Sequence, residues 1–177
     1  MKYPVLVLSL LFLWACVPNQ PPGVTVHTDE FSPNIEIAGS HNVDDGWTTF
    51  YEWQLFSLMD KKTLDVTHAL YFDTTYTGQK DPFVHAYDDT SQELTLLNLH
   101  TDMGTCYHRE CSLTEKAEIV LKDSDLRKRI TTGFRIKIIS RDGVSYVLPI
   151  TPAMIKLQLE AVDKYQTRDK TKSQNGL

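Results

Sequence analysis

The chain has 177 residues, 41% hydrophobic and 23% charged, with a formal net charge of −5. That is the length of one domain and the composition of a globular one, which excludes a wholly disordered or fibrous chain. An acidic balance with no basic stripe between aromatics also excludes nucleic acid as a partner, because phosphate backbones would be repelled.

Met1-Lys2 supplies one positive charge ahead of a nearly unbroken apolar run, Tyr3 to Ala15. The run has the length of an export-signal core and falls short of the roughly 20 residues needed to span a bilayer. It ends at Leu13-Trp14-Ala15-Cys16, followed by the proline-rich and polar stretch VPNQPPG. These residues resemble the lipobox of bacterial lipoproteins: a branched aliphatic residue, a loose position, a small residue and a cysteine. The resemblance covers residues 1–16 only and names a sorting class, not a domain family. It implies cleavage after Ala15, a lipid thioether on Cys16 and palmitate-type acylation of the new amino group. Two or three acyl chains hold stably, since each buried methylene contributes about 0.8 kcal/mol. Val17 stands where an aspartate would retain such a protein in the inner membrane, so the resemblance implies the outer membrane, facing the periplasm or the surface. Residues 16–23 are then expected to be a semi-stiff tether.

Residues 24–166 are expected to form a single, mainly β domain. NIEIAG, the aromatic-rich WTTFYEWQLFSLMD, LDVTHALYFDTTY, FVHAYD, ELTLLNLH, KAEIVL, FRIKIIS and VSYVLPI are strand-sized units separated by turn residues. In the third, Leu64, Val66, His68, Leu70 and Phe72 share one face, which predicts a hydrogen-bonded core histidine at His68. Turns at Met59–Lys62 and at Asp142-Gly143 predict hairpins. The fold class is an antiparallel β-sandwich or barrel-like sheet with a short helix and a C-terminal amphipathic helix. The aromatics Trp47, Phe50, Tyr51, Trp53 and Phe56 fall on both faces of one strand. The second face then needs a cover, either the C-terminal helix or a partner subunit, a polysaccharide or an apolar ligand.

Two helices are expected. KDSDLRKRIT carries acids at its start and Arg127, Lys128 and Arg129 near its end, with Ser124 or Asp125 as cap; the basic triplet reads as a solvated turn rather than a partner-binding patch. TPAMIKLQLEAVDKYQ has Thr151 as N-cap and Pro152 at the first helical position. Its apolar arc holds Met154, Ile155, Leu157, Leu159, Ala161, Val162 and Tyr165, with Gln158 in the middle and in need of partners. Residues 167–177 lack apolar side chains and are expected to be disordered.

With Cys16 lipidated, Cys106 and Cys111 remain, and in an oxidising envelope they are expected to form a disulfide that stiffens a loop. A metal site using both thiolates and His108 is the alternative. No Walker loop, GxGxxG, GxSxG, HExxH or zinc ribbon is present, so no cofactor or metal is expected. The candidates for chemistry are His85 and Asp88 in HAYDD with His100 and Asp102 in HTD, which would make an acid–base pair or a metal site if their strands were neighbours. The leading expectation is a lipid-anchored, non-catalytic accessory or interaction protein with a protein partner in the envelope. A periplasmic enzyme on those four residues, and a carrier of a small apolar ligand, are the alternatives.

Overall fold

The computed structural model describes residues 23–45, 50–77, 82–107 and 110–174. The lipobox and Cys16, Trp47 and His108 lie outside them. In chain order the elements are β1 (Thr25–Thr28), β2 (Asn34–Ala38), β3 (Asn42–Asp45), β4 (Phe50–Asp60), β5 (Val66–Thr77), β6 (Phe83–Asp88), β7 (Glu93–Leu94), β8 (Leu96–Tyr107), β9 (Glu110–Leu121), α1 (Asp123–Lys128), β10 (Phe134–Ser140), β11 (Ser145–Ile150) and α2 (Pro152–Gln174). They form two antiparallel sheets, a seven-stranded one in the order β1-β2-β4-β5-β9-β8 with β3 also on β4, and a four-stranded one in the order β11-β10-β6-β7. The arrangement is a sandwich, not a closed barrel.

The β4–β5 hairpin is the spine of the large sheet, in continuous register from Phe50↔Thr75 to Met59↔Val66. Its turn is held by the Asp60 carboxylate, which accepts the backbone N–H groups of Lys62 at 2.7 Å and Thr63 at 2.8 Å. Beside β4, β2 and β3 lie end to end, interrupted at Gly39. A Cβ at Gly39 would stand 3.0 Å from the Leu55 carbonyl oxygen and 3.1 Å from Gln158 Oε1, so any larger residue would have to push β4 or Gln158 aside by a few tenths of an ångström. The predicted Asp142-Gly143 turn joins β10 to β11, with Gly143 at φ +89°, a conformation glycine adopts without strain.

Alternation along the strands builds the core. Leu55 from β4, Leu70 and Phe72 from β5, and Ala117 and Ile119 from β9 point at Phe83, Ala86, Ile136, Ile138 and Leu148 of the small sheet, all buried. Phe72 is the hub, edge-on to Phe83 at 5.3 Å and tilted against Tyr146 at 5.6 Å. A second cluster joins Ile35, Ile37 and Met59 to Val162 of α2. The helix therefore covers the same inward face as the small sheet, and the other face of β4, with Glu52, Gln54, Phe56 and Leu58, lies under no helix among the described residues.

Several expectations change. The predicted α2 arc holds except at one residue: Ile155, Gln158, Leu159 and Val162 are buried against β2, β4 and α1, Met154, Ala161 and Tyr165 are partly buried beside them, and Leu157 is 37% exposed. Thr151 caps it as predicted, its Oγ1 accepting the Met154 N–H at 3.2 Å. The helix extends to Gln174, and TRDKTKSQ holds no glycine or proline to stop it. At α1 neither Ser124 nor Asp125 is the cap: Lys122 occupies that position without a side-chain bond. The strand predicted to end at His100 continues to Tyr107, so Cys106 and Cys111 face each other across the β8–β9 ladder with sulfurs 2.04 Å apart, a disulfide distance at a hairpin tip rather than in a loop.

Phe72→Ala should cost about 3–5 kcal/mol in denaturant unfolding, as for other buried aromatics, whereas Leu157→Ala should cost no more than about 0.5 kcal/mol. Equal losses would contradict the seam described for α2.

Candidate functional site

The four residues expected to carry chemistry are held apart. His85 lies on the outer face of the small sheet, stacked on Tyr87, with Nδ1 2.9 Å from Glu93 Oε1. Asp88, at the end of the same strand, accepts the N–H groups of Thr90 and Gln92 and pairs with Arg129 at 2.7 Å. Burial draws its carboxyl upward, but those bonds outweigh burial and hold it below the usual range. His100 and Asp102 are on the outer face of the large sheet, on the far side of the sandwich, 2.8 Å from each other, with Lys116 2.9 Å from Asp102. Among the described residues, no group of three or more His, Cys, Asp or Glu side chains converges as metal ligands would.

Convergence occurs elsewhere, at the inward end of the β4–β5 hairpin. Ser57 of β4 and His68 of β5 are opposite one another in the ladder, 0% and 1% exposed. Gln158 of α2, also 0% exposed, donates from Nε2 to the Ile37 carbonyl at 2.8 Å and to Ser57 Oγ at 2.7 Å. Asp123, an acceptor only, takes the His68 Nε2–H on Oδ1 at 3.1 Å, and burial favours the neutral ring, so Nδ1 accepts the Ser57 hydroxyl at 2.8 Å. The imidazole is thereby assigned the neutral Nε2–H tautomer by its partners. Asp123 Oδ2 accepts Arg127 Nε at 2.8 Å, and Arg127 makes a forked pair with Asp163 of α2 at 2.7 and 3.2 Å. The relay leaves α2 at Gln158, passes through β4, β5 and α1, and returns to α2 at Asp163.

Ser57, His68 and Asp123 have the residue types and order of a nucleophilic triad, yet the burial of Ser57 and His68 beneath a half-exposed Asp123 gives them a structural task. A nucleophile needs a place about 3 Å away for the reacting atom. The Ser57 oxygen is enclosed and already bonded by Gln158. Burial pushes the His68 imidazole below its ordinary 6.5, against the upward pull of Asp123. At Asp123 burial acts upward, but the bonds from Arg127 and His68 prevail and keep the carboxyl low. Gln158 Oε1 has no hydrogen-bond partner among the described residues, so the relay is complete on its donor side only.

The sequence marked His68 as a bonded core histidine and Gln158 as a buried amide needing partners. Ser57 and Asp123 were missed. The signal for Ser57 was its parity, since it shares the inward face of β4 with Trp53, Leu55 and Met59. Asp123 had none, because it belongs to α1 and meets His68 only through the fold.

On the outer face of the large sheet, Glu52, Asp73 and Lys116 lie in one row across β4, β5 and β9. Partial burial, with Glu52 directly opposite, pushes the Asp73 carboxyl up to about 6.

Comparison with family models finds no match, and comparisons with curated proteins and with solved structures find no significant similarity.

The two shifted groups act in opposite directions on stability. Unfolded, the His68 imidazole takes up its proton near pH 6.5 and folded only at lower pH, so its contribution is complete above 6.5 and is lost as the pH falls. Asp73 binds its proton more tightly when folded, so it costs stability as the pH rises from 3.8 to about 6. His68→Gln should lower stability at pH 7.5 by about 1–3 kcal/mol and abolish the loss on acidification to pH 5.5. Asp73→Asn should raise stability at pH 7.5 and steepen that loss. Parallel pH profiles for both variants and the parent, from urea unfolding, would refute this assignment.

Proposed function

We propose that the chain is a lipid-anchored, non-catalytic interaction module of the cell envelope, held in the outer membrane through Cys16. The observation that carries this reading is the sequence Leu13-Trp14-Ala15-Cys16 at the end of a short apolar run, with a proline-rich stretch after it. Three features of the fold support it. The described chain starts at an exposed Gly23 beside the edge strand β1, and the seven residues from Cys16 to Pro22 extend at most about 25 Å, so the domain would stand next to the bilayer. Cys106 and Cys111 lie at disulfide distance, as suits the oxidising compartment that export implies. The surface also offers apolar side chains to a partner along the edge strand β8, at Leu97, Leu99 and Met103.

The carrier alternative has little room. The space between the sheets is filled by Phe72, Phe83, Tyr146 and their neighbours, the apolar hollow beside the N-terminus of α2, lined by Leu55, Met154 and Leu157, holds about 180 Å³, and the larger hollow of about 800 Å³ beside β1 is an open groove lined by His27, Glu36, His41 and Gln54, which suits no apolar ligand.

In cells fed an alkyne fatty acid, the parent chain should be labelled and sediment with the outer-membrane fraction. Cys16→Ser should be unlabelled and absent from that fraction. Labelling that survives Cys16→Ser, or a mature N-terminus other than Cys16, would overturn the proposal.

A further inference from the structure

The outward edge of β8 pairs with no strand among the described residues. The other free edges among the described residues are blunted: β1 and β3 have four residues each, β7 has two, and β11 carries Pro149. By contrast β8 has twelve residues with no proline, lysine or arginine, and on it Leu97, Leu99 and Met103 are 45%, 46% and 72% exposed. Register breaks at Asn98/His100 and at Met103/Cys106 bend the strand at both ends of one short stretch. Between them His100–Met103 keep unbroken register with Lys116–Leu113, and Leu99 is the extra residue of the first break, so the available edge is His100–Met103 with Leu99 at its head.

That segment reads Leu-His-Thr-Asp-Met and is complementary to itself when reversed. An antiparallel copy centred on Thr101 sets Leu99 opposite Met103, His100 opposite Asp102 and Thr101 opposite Thr101. Directly opposed residues share a face, so the two imidazole–carboxylate pairs fall together on the face away from Thr101 and Met103, where Lys116 of each copy, 2.9 Å from its own Asp102, also stands, and Leu99 meets Met103 at the two ends of the pairing. A twofold axis makes every contact twice. Moving the centre by one residue sets His100 against His100 or Asp102 against Asp102, and moving it by half a residue sets His100 against Met103. One register therefore satisfies both charge and apolar pairing.

We propose that the chain self-associates by antiparallel pairing of β8 with β8 of a second copy, about a twofold axis at Thr101, joining the two large sheets into one. The occupant is a second copy because the edge supplies its own complement in both charge and apolar character. The inference deepens the interaction-module reading and rests on it in one respect, that anchoring confines both copies to one membrane and offsets the small area of a five-residue pairing.

The test uses the full-length chain in expressing cells, with a short bis-maleimide added to isolated membranes. Thr101→Cys should yield a cross-linked species of twice the chain mass. Val147→Cys, on the exposed face of β11, should not. Adding Met103→Glu to Thr101→Cys should lower the yield about fivefold or more. In the Thr101→Cys background, an H100K/D102K chain and an H100D chain should each cross-link poorly alone and recover the yield when co-expressed, since each then meets opposite charge. Equal cross-linking at positions 101 and 147, a cross-link only to a protein of another mass, or no recovery in the mixed pair would each overturn the inference. Fatty-acid labelling is read on the same samples. A labelled chain that does not cross-link overturns self-association and leaves the anchor standing, whereas an unlabelled chain that cross-links overturns the anchor alone.

Discussion

The bond between Ser57 and His68 sets the terms for the rest of the molecule. It lies at the inward end of the β4–β5 hairpin, in a row of side chains that is otherwise apolar. Out of water, a hydroxyl and an imidazole with incomplete partners cost more than the bond between them returns. Each therefore needs a further partner, and neither neighbouring strand supplies one. Gln158 from α2 meets the serine and Asp123 from α1 meets the histidine. Two helices are drawn to the same end of the sheet by the unfinished valences of one pair.

The inward face of the large sheet is accordingly covered in two ways. Where β4, β5 and β9 present Leu55, Leu70, Phe72 and Ile119, the small sheet closes over them by shape, with aromatic rings as filler. Toward Ser57 and His68, α2 closes over the sheet by hydrogen bonds and an apolar seam of Ile155, Leu159 and Val162. Arg127 then ties the two helices together through Asp123 and Asp163. An exposed pair of this kind contributes little by itself, but here it ends a relay whose other members are buried.

The same geometry leaves the distal half of the β8–β9 hairpin beyond these covers. Its sulfurs lie at bonding distance at the tip, so the ladder is held at its far end where no second layer packs on it. The result is an exposed, regular edge at one side of the large sheet, with β1, the first described strand of the chain, at the other.

Much of this was legible in the residues alone. Two-residue alternation in LDVTHALYFDTTY, the Asp142-Gly143 turn, and Thr151-Pro152 ahead of a helical period are local signals, and local sterics and hydrogen bonding decide them wherever the segment sits. The core histidine and the buried amide were legible for the same reason, since a polar residue on an apolar face declares its need whatever its partner. The partners were not legible. Ser57, Asp123 and Gln158 come from segments far apart in the chain, and only packing of helix on sheet brings them together. The placing of His85 and His100 on opposite faces of the sandwich was likewise a matter of strand order, which alternation cannot specify. Local signals in the residues sufficed for most of the elements and for their apolar faces. Tertiary structure alone decided which faces met, because burial depends on the whole set of covering surfaces and not on any one of them.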